Sequence, residues 1–219
     1  MNKTRTYGEG CAAAHALDLV GERWALLLVR ELLLGPKRFT DLRSGIVNAS
    51  PNVLAQRLRE LEEAGIVRRR TLPPPAASRV YELTDWGLEL EPVVSALGRW
   101  GARSPAMPLD APMSLDSQIL AMRTMFDPAR GDFHASYGVR LAGVDFQASV
   151  RDGAFEIARG VAARPDATIV TDPATLAAVL WLGRSLDDAL ESGDLIVDGD
   201  MSVVVRLVDL FPLPEPAAA

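Results

Sequence analysis

The sequence predicts an α+β protein of two domains: short helices closed by a two-stranded hairpin, then helices laid on a mostly antiparallel sheet. Three observations predict it. Residues 37–83 run in the order helix, helix, strand, proline tip, strand. Beyond residue 126 the apolar period changes from that of a helix to two. Between these regions Arg103-Ser104-Pro105-Ala106-Met107-Pro108-Leu109-Asp110-Ala111-Pro112 has the composition of a linker. With 219 residues, 48% of them hydrophobic, the chain is long enough for two cores.

The first elements are helical. A helix is expected to start near Ala12-Ala13-Ala14, and the apolar run 24–29 makes about one and a half turns of buried helix. That run is far below the roughly 20 residues needed to cross a bilayer, and nothing resembles a signal peptide. In Lys37-Arg38-Phe39-Thr40-Asp41-Leu42, Phe39 and Leu42 start an apolar face beside two cations expected to be exposed, Lys37 and Arg38. Ser50-Pro51 is an N-cap followed by proline at the first helical position, where its missing N–H costs nothing. Leu54, Leu58 and Leu61 then define a buried face, and Ala64-Gly65 supplies the stop.

The face opposite those leucines carries Asn52, Gln56 and Arg59, with Arg57 on its flank. These are side-chain types that bond adenine, guanine and phosphate in a major groove. Residues 66–72 and 79–83 read as strands, and Pro73-Pro74-Pro75-Ala76-Ala77-Ser78 forms a stiff tip between them, because a triple proline cannot continue a ladder. This order is that of a winged helix-turn-helix. Thr84-Asp85 opens a further helix, expected to run to Trp100.

Charge supports a polyanionic partner. Between Arg23 and Arg79 there are eleven Lys/Arg against five Asp/Glu, inside a chain of net charge −6. Glu60, Glu62 and Glu63 lie late in the second helix and would repel phosphate, so contact should come from its N-terminal half, including Ser50. A plainer reading is that a carboxylate occupies each helical arginine. Arg59 has Glu62 and Glu63 within reach along the helix, whereas Arg57 has only Glu60, so Arg57 is expected to be the freer.

Several ordered motifs now resemble a known family. Gly21-Glu22-Arg23-Trp24 leading into Leu27-Leu28-Val29-Arg30-Glu31-Leu32, Arg38-Phe39-Thr40-Asp41-Leu42, Leu58-Arg59-Glu60-Leu61-Glu62 with Gly65, and Tyr81-Glu82-Leu83-Thr84 with Gly87 resemble the HxlR-type winged-helix transcription regulators over about residues 8–103. The resemblance implies a bacterial homodimer on double-stranded DNA with a palindromic operator. It also implies that the first and last helices of the domain pair across the dimer, with repression the default. The wing tip departs from the pattern in having no cation at its apex, so wing contacts are expected at its base, on Arg70 and Arg79.

Cys11 is the only cysteine, which excludes an intrachain disulfide and suits a reducing cytoplasm. Some HxlR-type regulators carry a nearby cysteine that responds to oxidants or electrophiles, and Cys11 resembles it. Two readings stand side by side: a redox candidate at a helix start, where a thiol's pKa falls, and a small buried hydrophobe.

The second domain has its own pattern. Residues 115–126 are expected to be a helix with Leu115, Ile119, Met122 and Phe126 on one stripe. Alternating strands follow around Tyr137-Val139-Leu141 and Val144-Phe146-Ala148-Val150, with turns at Ala142-Gly143 and Asp152-Gly153. Phe155 and Ile157 continue the sheet, and Ala167-Thr168-Ile169-Val170-Thr171 adds a strand. Asp172-Pro173 caps a helix, 185–192 is helical, 195–197 a short strand and 201–211 a final helix.

That order, with Pro165-Asp166-Ala167-Thr168-Ile169, Thr171-Asp172-Pro173, Gly193-Asp194 and Val197-Asp198-Gly199-Asp200, resembles a sterol-carrier-protein-type domain over about residues 115–211. The resemblance implies an apolar tunnel for a small hydrophobic effector, with Phe126, Leu176, Leu180, Val204 and Val208 as candidate ligand-binding residues, against the plainer reading that each is core. Trp181 is expected to be a pocket lid or an interface residue. The expected domains are therefore 1–104, a linker at 105–114, a C-terminal α/β sterol-carrier-like domain at 115–211 and a flexible tail at 212–219.

Catalysis has little support: His15 and His134 are the only histidines, and no metal-ligand spacing or phosphate-binding loop occurs. No cofactor, metal or membrane partner is expected, and no enzyme. Three functions stay open at this point: a ligand-responsive DNA-binding regulator, a regulator switched through Cys11, and a lipid or small-molecule carrier whose winged helix serves dimerisation or protein contacts.

Overall fold

A computed structural model describes residues 6–218. Its contacts divide the chain into two units, Met1–Val94 and Ser95–Ala219, a division that falls N-terminal to the proline-rich segment 105–114.

The first unit contains α1 (Ala12–Val20), α2 (Ala25–Leu32), α3 (Phe39–Gly45), α4 (Pro51–Glu63), β1 (Val67–Thr71), β2 (Arg79–Leu83) and α5 (Asp85–Leu88). The start of α4 is where the sequence places it: Ser50 Oγ accepts from the Val53 N–H at 3.4 Å, and Pro51 opens the helix. Its end is a Schellman turn. Gly65 takes φ +74°, its N–H bonds Glu62 O at 3.0 Å, and the Ile66 N–H reaches back to Leu61 O at 2.9 Å. Leu54, Leu58 and Leu61 are buried together with Leu28, Leu32 and Leu42, so α2, α3 and α4 share one core.

β1 and β2 pair antiparallel with Val67 opposite Leu83 and Thr71 opposite Arg79. Thr84 ties this hairpin to the end of α4: its hydroxyl donates to Gly65 O at 2.7 Å and accepts from the Gly87 N–H at 3.0 Å. Gly87 has a steric reason to be glycine, because a Cβ there would run into the carbonyl oxygen of Ile66.

The single helix expected from Thr84 to Trp100 is two. Residues after α5 close with Glu89 N to Trp86 O and Leu90 N to Gly87 O, both 3.2 Å, and α6 (Glu91–Gly101) then starts afresh. Pro92 explains the break, since it has no N–H to give Leu88 and its ring would crowd that carbonyl in a continuous helix.

The second unit continues from α6 with α7 (Leu115–Met125), a 3-10 turn at Pro128–Arg130, β3 (Ala135–Leu141), β4 (Val144–Arg151), β5 (Ala154–Arg159), β6 (Ala167–Thr171), α8 (Pro173–Trp181), α9 (Leu186–Glu191), β7 (Leu195–Gly199) and α10 (Met201–Val208). The sheet order is β5-β4-β3-β6-β7, with β3 and β6 parallel and every other pair antiparallel. Both expected hairpin dipeptides have positive φ at each residue, 49° and 80° for Ala142-Gly143 and 50° and 69° for Asp152-Gly153, matching the twist of the strands they join.

Tyr137 is fully buried in the sheet, and its hydroxyl donates to Val203 O at 3.0 Å. Phe155 meets Phe211 edge-on at 5.0 Å between ring centroids. The closing segment expected to be a flexible tail is held to the chain: Ala217 N bonds Arg103 O at 2.7 Å, and Arg103 Nε reaches Glu215 O at 3.2 Å.

Candidate nucleic-acid interface

The outward face of α4 presents Asn52, Val53 and Arg59 to solvent, with Gln56 and Arg57 partly covered. Its polar side chains form a chain of bonds along the helix. Arg59 donates to Gln56 Oε1, Gln56 Nε2 donates to Glu60 Oε1 at 2.7 Å, and Arg57 pairs with Glu60 from the other side. Asn52, near the N-terminus, has no side-chain hydrogen bond among the described residues, so its amide is available at the end of α4 that a helix-turn-helix directs at base edges.

The ranking of the two arginines reverses. Arg57, expected to be the freer, is only 18% exposed and lies between Glu60 and Glu22, the latter at 3.6 Å. Glu22 belongs to the loop between α1 and α2, thirty-five residues upstream, so no spacing rule along α4 could have shown it. Arg59 points outward and, among the described residues, bonds only Gln56.

Lys37 is also corrected. Its backbone bridges Tyr81 in both directions, at 2.9 and 2.8 Å, and its ammonium donates to the fully buried Glu31 at 2.6 Å. Arg30 meets the other Glu31 oxygen at 3.0 Å. Lys37 therefore neutralises a carboxylate under the helices, a charge that could not be left unpaired there. Arg38 does face solvent, where its guanidinium pairs with Asp41 at 3.0 Å while its backbone N–H donates to the same carboxylate at 3.1 Å and so caps α3, and the exposed Ser50 caps α4.

The wing arginines sort by face, because side chains alternate along a strand. Arg68 and Arg70 both clamp Glu82, at 2.8 and 3.0 Å. Arg69 lies on the other face, over the Tyr81 ring at 5.4 Å and 3.0 Å from Glu62. Arg79 sits opposite Thr71 and so shares that second face, which means Arg70 and Arg79 are not brought together. Arg79 and Arg43, the latter on α3, have no ion-pair partner among the described residues. Sequence reasoning counted Arg43 as charge only; its signal was its place one helix before α4.

Residues 19–107 match the family described as HxlR-like helix-turn-helix, and 127–212 match the SCP-2 sterol transfer family. The HTH-type transcriptional regulator YvaP of Bacillus subtilis is 38% identical over 85 residues, 39% of this chain and 79% of YvaP. YodB of the same organism, also an HTH-type transcriptional regulator, is 39% identical over 85 residues, 39% of this chain and 76% of YodB. The solved reduced form of YodB is 34% identical, covering 45% of this chain and 97% of that one, with a TM-score of 0.40. The chain belongs to the HxlR-like helix-turn-helix family.

As an HxlR-like protein it is a DNA-binding transcriptional regulator that carries an SCP-2-type domain behind its winged helix. No helix among the described residues is long and apolar enough to cross a membrane. Cys11 is the N-cap of α1 and is exposed, which removes the reading of a buried hydrophobe. Backbone N–H groups of Ala14 and Ala13 pull its thiol below the ordinary range, as a helix N-terminus does.

In the regulator's C-terminal unit, Phe126, Leu176 and Val204 are buried, and Leu180 and Val208 half-buried. Phe126 stacks on Phe155 at 5.7 Å, a core contact. Trp181 is neither lid nor free surface, because its indole N–H donates to Phe211 O at 3.1 Å and fastens the segment after α10.

Proposed function

We propose that this regulator works as a homodimer, setting two α4 helices into successive major grooves of a palindromic operator and repressing transcription when bound. The observation that carries the reading is the outward face of α4, where Asn52 at its N-terminal end and Arg59 further along stand exposed while Glu60 and Glu62 are paired with Arg57 and Arg69 of the same domain. Arg38, Arg43 and Arg79 supply phosphate contacts around it. A two-fold dimer is supported by α6, whose residues Val93, Leu97 and Trp100 form a stripe at i, i+4 and i+7, exposed by 45%, 48% and 76%. Leu17 of α1 is 49% exposed as well. Two-fold symmetry then demands half-sites about 34–36 Å apart. The C-terminal unit is read as an effector module whose ligand shifts DNA affinity, with no catalytic step assigned to it.

The test is fluorescence anisotropy on the protein's own promoter DNA across a salt series, beside a random duplex. Binding should fall steeply with salt, Asn52→Ala should lose the preference for promoter over random DNA, and Arg59→Ala should weaken binding to both duplexes alike. Equal binding to both duplexes by the wild type would overturn the reading.

A second switch is favoured by one observation, the exposed, acidified Cys11 thiol. Replacing Cys11 with Ser should abolish any oxidant-induced release while leaving DNA affinity intact; release that persists in the variant removes Cys11 from the mechanism.

A further inference from the structure

A groove of about 340 Å³ lies in the second unit between the segment before α7 and the N-terminal part of α8. None of Phe126, Leu176, Leu180, Val204 and Val208 lines it. Its walls are mostly apolar, with Leu109, Met113, Pro173, Ala177 and Leu182 among them. Gln118 of α7 also lines it, and Gln118 differs from every other lining residue: it is 1% exposed, yet its Nε2 has no hydrogen-bond partner among the described residues.

Burying an amide donor without a partner is unfavourable, and a leucine at this helical position would bury the same volume without that cost. The Gln118 backbone N–H is itself satisfied, bonding Ser114 O at 3.0 Å within the helix, so it is the side-chain donor that is left over. The remaining polar residues of the groove are two aspartates, Asp110 and Asp172. The Thr175 hydroxyl, donating at 2.6 Å, holds the Asp172 carboxyl below the usual carboxylate range, so it is charged at neutral pH. Asp172 also occupies the N–H groups of Ala174 and Thr175, at 2.8 and 3.0 Å, and so leaves the α8 terminus closed to another anion.

We propose that this groove is a binding site for an uncharged, largely apolar organic molecule carrying one hydrogen-bond acceptor, a ketone, ester or amide carbonyl that accepts a hydrogen bond from Gln118 Nε2. Apolar walls supply affinity, the single amide sets orientation, and the two aspartates reject carboxylates such as free fatty acids. This deepens the effector reading of the C-terminal unit and rests on it for its regulatory meaning, though not for binding itself.

The probe is prodan, a neutral naphthyl ketone whose emission shifts to the blue on leaving water, titrated against the full-length chain. Saturable one-to-one binding is expected. Gln118→Leu should weaken it at least tenfold with an unchanged circular dichroism spectrum and a melting temperature no lower than wild type, and Ala177→Phe, which fills the groove, should weaken it further. The anion anilinonaphthalene sulfonate should fail to displace the probe. Absence of saturable binding, equal affinity in Gln118→Leu, or displacement by the sulfonate would overturn the proposal. Promoter-DNA anisotropy on the same preparations separates the two readings: saturable, Gln118-dependent prodan binding that leaves DNA affinity unchanged supports the site and overturns only its role as effector.

Discussion

At the scale of single residues, the DNA-facing surface is decided by where each cation finds its carboxylate. Arg57 is held between Glu22 and Glu60, whereas Arg59 reaches outward past Gln56. Arg59→Ala is therefore expected to weaken promoter binding and to reduce the salt slope by about 1, with the melting temperature unchanged, because one fewer phosphate is neutralised. Arg57→Ala should do the reverse, costing about 0.5–1 kcal/mol in urea unfolding while the salt slope stays put, since its pairs are largely structural. The residue types of α4 were legible in the sequence; their partners were not. Local spacing reveals Glu60 and Glu62, but Glu22 and Glu31 reach Arg57 and Lys37 only after the chain has folded back.

At the scale of elements, caps and breakers were the most readable features. Ser50-Pro51 starts α4, Gly65 ends it, and both type-I′-compatible dipeptides turn hairpins as their residues require. Gly87 joins two such elements by lying against the Ile66 carbonyl, so Gly87→Ala should destabilise the winged helix by about 1–3 kcal/mol, read from the midpoint of chemical denaturation. The break between α5 and α6 was missed because apolar periodicity continues through it, although Pro92 stood in plain view. That break leaves α6 a separate amphipathic helix with none of its residues fully buried. Replacing Trp100 with Glu should leave the circular dichroism spectrum intact and shift the mass measured by light scattering from dimer to monomer; an unchanged mass would remove α6 from the dimer contact.

At the scale of the whole molecule, the acidic C-terminal unit is braced by carboxylates that the fold keeps ionised. The Ser136 backbone N–H, with its hydroxyl, lowers Asp166, the Thr175 hydroxyl lowers Asp172, Arg184 lowers Asp194, and Ser202 lowers Asp200. A carboxyl depressed in the folded state adds stability that is complete above its unfolded pKa, about 3.9 for aspartate, and is lost as pH falls through the folded value. The melting temperature should thus hold steady from pH 7 to about 5 and drop below about 4; a flat profile down to pH 3 would contradict this. Sequence by itself determined the order and type of nearly every element, the winged helix, the mixed helix-and-sheet unit behind it and the basic region inside an acidic chain, because periodicity, caps and turn dipeptides act within a few residues. Tertiary structure alone decided which arginines remain outward, that Lys37 turns in toward Glu31, and that Gln118 is buried with an unpaired donor beside an apolar groove. Those outcomes depend on charges and walls brought together from distant parts of the chain, and burial, which sets their energy, exists only once both sides have met.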